Sequence, residues 1–186
     1  MFKKYALALT ISVVCGAAIA AEPESPGNVL PTQPDLGQVE FVGTIIDSPC
    51  SITPDTADQT VPMGLVSSAV LAEGSTKVVP FNIELQGCTA EAAKTVSVKF
   101  TGNSAETNGN ALAIEGTAAG AGIELTDTAS GKAIVLGTNT DPATLYAGDN
   151  TLQFGARLVK TSAVTEAKDI TPGEFTATAN FEMSYQ

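Results

Sequence analysis

The sequence has no histidine, no tryptophan and only three cysteines, and it is poor in charged (16%) and aromatic (5%) residues over 186 positions. Each shortage excludes something. Without His there is no Ser-His-Asp or Cys-His catalysis and no His-ligated zinc site. With 9 Lys+Arg against 20 Asp+Glu, a net charge of −11, there is no clustered basic surface for a polyanion, so nucleic acid is not an expected partner. A hydrophobic content of 44% is too high for an intrinsically disordered chain. No Gly-rich phosphate loop and no dense acidic calcium loop occurs. Asp47 and Asp55 flank Cys50, but no third group stands at catalytic spacing, leaving a carboxylate pair assembled only in space as the enzymatic alternative. The composition describes a folded acidic protein, one domain with a tail, expected not to be an enzyme and implying no cofactor, metal or small-molecule substrate.

What is present begins with an address. Lys3 and Lys4 precede an almost unbroken apolar run over residues 5–19, and Ala18-Ile19-Ala20 supplies the small residues of a signal-peptidase site. The run is short for a membrane span and no stop-transfer pattern follows it. Residues 1–20 therefore read as a signal peptide, with a buried N-terminal helix as the alternative. Cys15 leaves with the signal, because the bulky Val14 stands where a lipoprotein cleavage site needs a small residue. Removal takes two lysines and no acid, so the exported chain is more acidic still. Cys50 and Cys88 remain in an oxidising compartment, where a disulfide is the default. Two reactive thiols or a metal pair is the alternative.

Residues 21–36 hold four prolines and no helical period, the composition of an extended, solvated tail. From Gly37 the pattern has period two. Val39, Phe41, Gly43 and Ile45 share one face up to Pro49, then Val79, Phe81, Ile83 and Leu85, then Val96, Val98 and Phe100, and later Leu152, Phe154, Ala156 and Leu158. Pro80 points the start of its strand to an edge or a bulge. Glycines break residues 108–137 into hairpin-sized pieces such as 122–127 and 132–136, and Gly148-Asp149-Asn150 reads as a turn. Helical turns are expected only near residues 67–73 and 91–94. The fold class is all-β, a sandwich.

The C-terminus carries the longest alternation. Phe175, Ala177, Ala179, Phe181, Met183 and Tyr185 lie on one face from Gly173 onward, and Thr176, Thr178, Asn180, Glu182 and Ser184 on the other. The chain stops after Gln186, so this strand is either the centre of a closed sheet or an apolar row whose free edge something must cover.

At these residues the sequence resembles the chaperone–usher fimbrial (pilus) subunits, the major pilins of P-type and type 1-like fimbriae. The likeness is carried by FVGTIIDSPCSI at 41–52, by ELQGC at 84–88, and by a C-terminal motif of Gly173, fourteenth from the end, with a penultimate Tyr185. The resemblance implies an incomplete immunoglobulin-like β-sandwich, a pilin fold lacking its final strand and completed by a donor strand from another chain, a recognised form of β-augmentation. It implies three segments: signal peptide 1–20, an N-terminal extension 21–38 acting as donor strand, and a pilin domain 39–186. The implied groove is floored by Val39, Phe41, Phe175, Ala177, Ala179, Phe181, Met183 and Tyr185, with Tyr185 and the Gln186 carboxylate meeting the chaperone. A Cys50–Cys88 disulfide would tie the first strand region to the third.

The implied partners are a periplasmic pilus chaperone, an outer-membrane usher and neighbouring pilin subunits in a homopolymer on a Gram-negative surface. The tail departs from the family in being longer, with imperfect alternation. Leu30, Thr32, Pro34 and Leu36 form the preferred inward row because it is less charged than the competing row through Val29, Pro31, Gln33, Asp35 and Gly37. A plain spacer is the alternative for residues 21–30. The competing function is an adhesive subunit that binds host glycan or protein through its outer face.

Overall fold

The computed structural model describes residues 37–89, 91, 93–106 and 110–186. The signal-peptide segment and the donor residues Leu30, Thr32, Pro34 and Leu36 lie outside the described residues. The chain divides into two units between Thr44 and Ile45.

In the first unit, residues 37–44 form no strand, and Val39 and Phe41 are 74% and 90% exposed. The expected strand from Gly37 is therefore corrected for the single chain. The physical reason is that a strand needs a partner edge for its N–H and C=O groups, and among the described residues none is bonded to them. Ile45 and Ile46, in the second unit, are exposed as well.

Among the described residues the second unit has eleven strands. They are β1 (Ser51–Ile52), β2 (Val79–Cys88), β3 (Thr95–Thr101), β4 (Leu112–Ala113), β5 (Glu115–Gly116), β6 (Ala121–Asp127), β7 (Lys132–Ala133), β8 (Ala143–Thr144), β9 (Gly148–Lys160), β10 (Phe175–Thr176) and β11 (Asn180–Tyr185). Two one-turn helices, α1 (Pro54–Ala57) and α2 (Ser68–Ala72), and a 3₁₀ turn at Ala167–Asp169 complete it. Ser67 caps α2 by accepting from the Ala69 N–H, where the sequence predicts a helical turn; of the other predicted turn the described residues 91, 93 and 94 are not helical. Gly148-Asp149-Asn150 opens β9 rather than forming a separate turn.

All ladders are antiparallel. The larger sheet runs β1-β2-β9-β6-β4 with β7 on β6, a second runs β11-β3-β8, and β10 pairs with β5 apart from both. The core lies between the two main sheets: Ile83 and Leu85 from β2, Val96, Val98 and Phe100 from β3, Ile123 and Leu125 from β6, Phe154 and Ala156 from β9. These are the alternating rows read from the sequence, because period two sends every second side chain to one face.

Cys50 and Cys88 are disulfide-bonded. The bond joins the start of β1 to the end of β2, neighbouring strands, so it ties the first strand region to the second and not to the third. Closing a loop of 38 residues is worth about 4 kcal/mol in the chain-entropy picture.

Candidate functional site: an open edge at the C-terminal strand

The C-terminal row does not form one long strand. Phe175–Thr176 pairs with β5, residues 177–179 are unpaired with either sheet, and Asn180–Tyr185 pairs with β3. The break lies where β3 ends. Gly102 sits against the Thr178 carbonyl and the Leu112 side chain, so closely that a Cβ there would collide with both. Gly173 is similarly constrained, because a Cβ would strike Thr117 and the Ala118 N–H. The backbone contact is used: Glu174 N–H donates to Thr117 Oγ1 (3.0 Å), and the Thr117 and Ala118 N–H groups donate to Glu174 O (3.0 and 3.1 Å). This clamp sets where the row begins, and the sequence signal for it is only the glycine itself.

All six residues of the row, Phe175, Ala177, Ala179, Phe181, Met183 and Tyr185, are half-buried against the core, and none is fully covered. Beneath them lies an aromatic cluster that period-two reading did not assemble. Phe100 stands 6.2 Å from Phe181, 5.1 Å from Phe154 and 6.3 Å from Phe81, linking the two sheets. Phe81 is itself only half-buried.

The hydrogen-bond parity of β11 decides what its edge offers. Thr95 and Gln186 exchange both N–H···O bonds (2.8 and 2.9 Å), so they form a hydrogen-bonded pair. Alternation along the ladder then gives Ser184, Glu182 and Asn180 the remaining bonds to β3. The far side of β3 agrees, since the Val98 and Phe100 carbonyls accept from Thr140 and Gly137 N–H groups instead. The N–H and C=O groups of Phe181, Met183 and Tyr185 therefore point away from β3, and among the described residues nothing pairs with them. The side chains that face the core thus belong to the residues whose backbone faces the open edge. The Gln186 oxygen is held separately by the Lys94 and Thr95 N–H groups.

The outer edge of β2 is treated differently. Glu84 N–H donates to Thr56 Oγ1 (3.1 Å), Glu84 O accepts from Thr53 N–H (2.9 Å), and Asn82 O accepts from Gln59 Nε2 (2.9 Å). Pro80 shares this parity, so its missing N–H would have faced outward, which explains why proline is tolerated in β2. One edge is closed from within the chain and the other is left open.

No cluster of His, Cys, Asp or Glu able to hold a metal occurs among the described residues. Charge at the outer faces is paired across strands, Lys99 with Glu182 at 2.6 Å and Arg157 with Glu124. Asp169 Oδ2 accepts from the N–H groups of Glu166 and Thr165 and from the Thr165 hydroxyl. These bonds, the Glu166 N–H first, hold its carboxyl below the ordinary range.

A sandwich with one uncovered apolar row beside an unpaired terminal edge is an incomplete immunoglobulin-like β-sandwich, a domain one strand short. A family model described as "Fimbrial protein" matches residues 39–186, and the chain belongs to that family. It is similar to the major MR/P fimbria protein of Proteus mirabilis (strain HI4320), 44% identical over 182 residues, 97% of this chain and 95% of that one. It is also similar to the Pap fimbrial major pilin protein of Escherichia coli, 37% identical over 187 residues, 94% and 98% of the two chains. Among solved structures it resembles a subunit of a chaperone–usher pilus rod (35% identity, TM-score 0.73, 83% of this chain and 98% of that one) and the P pilus rod subunit PapA (33%, 0.66, 75% and 100%).

Proposed function

We propose that this chain is the structural subunit of a chaperone–usher fimbria, polymerising by donor-strand exchange into an extracellular fibre used in adhesion on a Gram-negative cell. The observation that carries the reading is the open edge of β11, where each core-facing residue also presents its backbone outward. One added strand would pair the N–H and C=O groups of Phe181, Met183 and Tyr185 and cover their side chains together.

On this reading residues 1–20 are removed on export, 21–38 serve as donor strand and 39–186 form the pilin domain. A periplasmic chaperone covers the edge first. At the outer-membrane usher the extension of the next subunit replaces it. Leu30, Thr32, Pro34 and Leu36 are the proposed core-facing donor residues. The ladder parity makes this register testable. In an antiparallel pairing, core-facing donor residues opposite Phe181, Met183 and Tyr185 must each supply an N–H, which proline lacks.

Deleting residues 21–38 tests the function. The expected result is a stable chaperone-bound subunit and, by electron microscopy, no fibres. Long fibres from the deleted chain would refute donation by this segment. Leu30→Asp and Gln33→Asp, made separately, separate the registers: the first blocks assembly if the Leu30 row faces inward, and the second does so if the competing row does.

A further inference from the structure

The two poles of the second unit are unlike. At one pole the chain enters β1 at Cys50, and Thr89 N–H donates to Pro49 O (3.0 Å). The Tyr146 loop stands beside it, since Cys88 pairs with Gly148 and Leu145 N–H donates to Lys94 O. Tyr146 is 69% exposed, yet its backbone is fixed. Its N–H donates to Asn150 Oδ1 (2.9 Å), its carbonyl accepts from Asn150 Nδ2 (2.8 Å), and Gly148, the first residue of β9, takes a left-handed φ of +91°. A large amphipathic ring on a rigid loop loses little entropy when it is buried, which is why tyrosines of this kind anchor protein interfaces.

At the opposite pole, where β3 ends and β11 begins, lies an open depression of about 600 Å³ lined by Thr101, Gly102, Ser104, Glu106, Leu136 and Gly137, among others. It adjoins the end of the apolar row, because Gly102 backs onto Ala179. The half-buried Leu136 gives it an apolar wall, and Ser104 and Glu106 a polar one.

We infer that Tyr146 of one subunit seats in this depression of the subunit whose groove receives its extension, making a head-to-tail contact between consecutive copies of this chain. The inference rests on the donor-strand reading above. A strand antiparallel to β11, as every ladder in this chain is, runs from Tyr185 toward Ala179 and leaves the groove at the depression. From Leu36 to Pro49 the chain spans at most ~45 Å even fully extended, and Pro49 lies at the Tyr146 pole of its own body. The tether thus holds one pole of the donor close to the opposite pole of the acceptor at high effective concentration. The two surfaces are different patches, as an interface that propagates without closing requires.

The test places benzoylphenylalanine at position 146 and irradiates assembled fibres. Subunit-to-subunit cross-links mapped by mass spectrometry to residues 101–106 or 136–137 are expected, and cross-links elsewhere, or none from intact fibres, overturn the contact. Tyr146→Ala fibres should form but fall apart at least severalfold faster than the parent in denaturant, and equal rates also count against it. Failure of the donor-strand reading looks different, because fibres would then persist after residues 21–38 are deleted.

Discussion

Two apolar rows of the same period lie near the two ends of the described residues, and they behave in opposite ways. Val39, Phe41, Gly43 and Ile45 share the period of Phe175 to Tyr185, yet the first row forms no strand and its large side chains are exposed, while the second is half-buried. The difference is the availability of an edge. From Asn180 onward the C-terminal row has β3 beside it, which satisfies half of its backbone groups and sets it over Phe100. Among the described residues no strand pairs with the N-terminal row. Alternation specifies which face of a strand is apolar; only another strand makes it a strand.

The largest expected effect lies at Phe181. A charge there would sit over the Phe100 cluster without a partner and would also disfavour any strand added to the edge. Phe181→Asp should lower the stability of the isolated subunit by about 3 kcal/mol and abolish co-purification with the chaperone. Phe41→Asp is the matched probe in the exposed row. It should leave the subunit's unfolding within about 0.5 kcal/mol of the parent, as for an exposed site. A comparable loss at both positions, read by denaturant unfolding, would erase the contrast between the rows.

The disulfide comes next, because it fixes the chain just past the N-terminal row. Replacing both Cys50 and Cys88 by Ser should cost about 2–4 kcal/mol and free β1 from β2, whose pairing is only two residues long. If the comparison is right, hydrogen exchange should then rise in β1 and at the end of β2 while the β11–β3 ladder stays protected.

Much of this was legible in the sequence, and the gaps have physical causes. The inner faces of β2, β3 and β9 were readable at Ile83, Val98 and Phe154 because period two is a local property. Pro80 announced an edge or a bulge because a missing N–H cannot be paired within a ladder. The break at residues 177–179 was not readable, since it depends on where β3 ends and on how closely Gly102 approaches the Thr178 carbonyl. The Phe81–Phe100–Phe154–Phe181 cluster was hidden for the same reason, being assembled from four strands far apart in sequence. Thr117 carried no signal, because its role exists only through Gly173 and Glu174. The exposure of Val39 and Phe41 was missed by reading an apolar row as if it had a partner.

The smallest effect is expected at the approach to the C-terminal row. Asp169 ties residues 165–169 together beside Ile170 and Val164, which pack with Leu71, Ala121 and Leu158 just before Gly173. Its carboxyl titrates below the ordinary range because the Glu166 N–H, the Thr165 hydroxyl and the Thr165 N–H all bond its ionised form. A depressed carboxylate stabilises the fold fully above the unfolded value, near pH 4, and that stabilisation is lost as pH falls through the lower folded value. Asp169→Asn removes the charge that titrates, so the variant should lose less stability than the parent on acidification below about pH 4. The side chain is fully exposed, so the melting-temperature difference at neutral pH should stay within about 2 °C. The informative readout is local: the protection of amides 165–170, relative to their intrinsic exchange rate at each pH, should fall with acid in the parent and be low at every pH in the variant, with β11 unaffected in both. If β11 loosened along with that turn, the half-buried row would owe its place to the turn that precedes it as much as to β3.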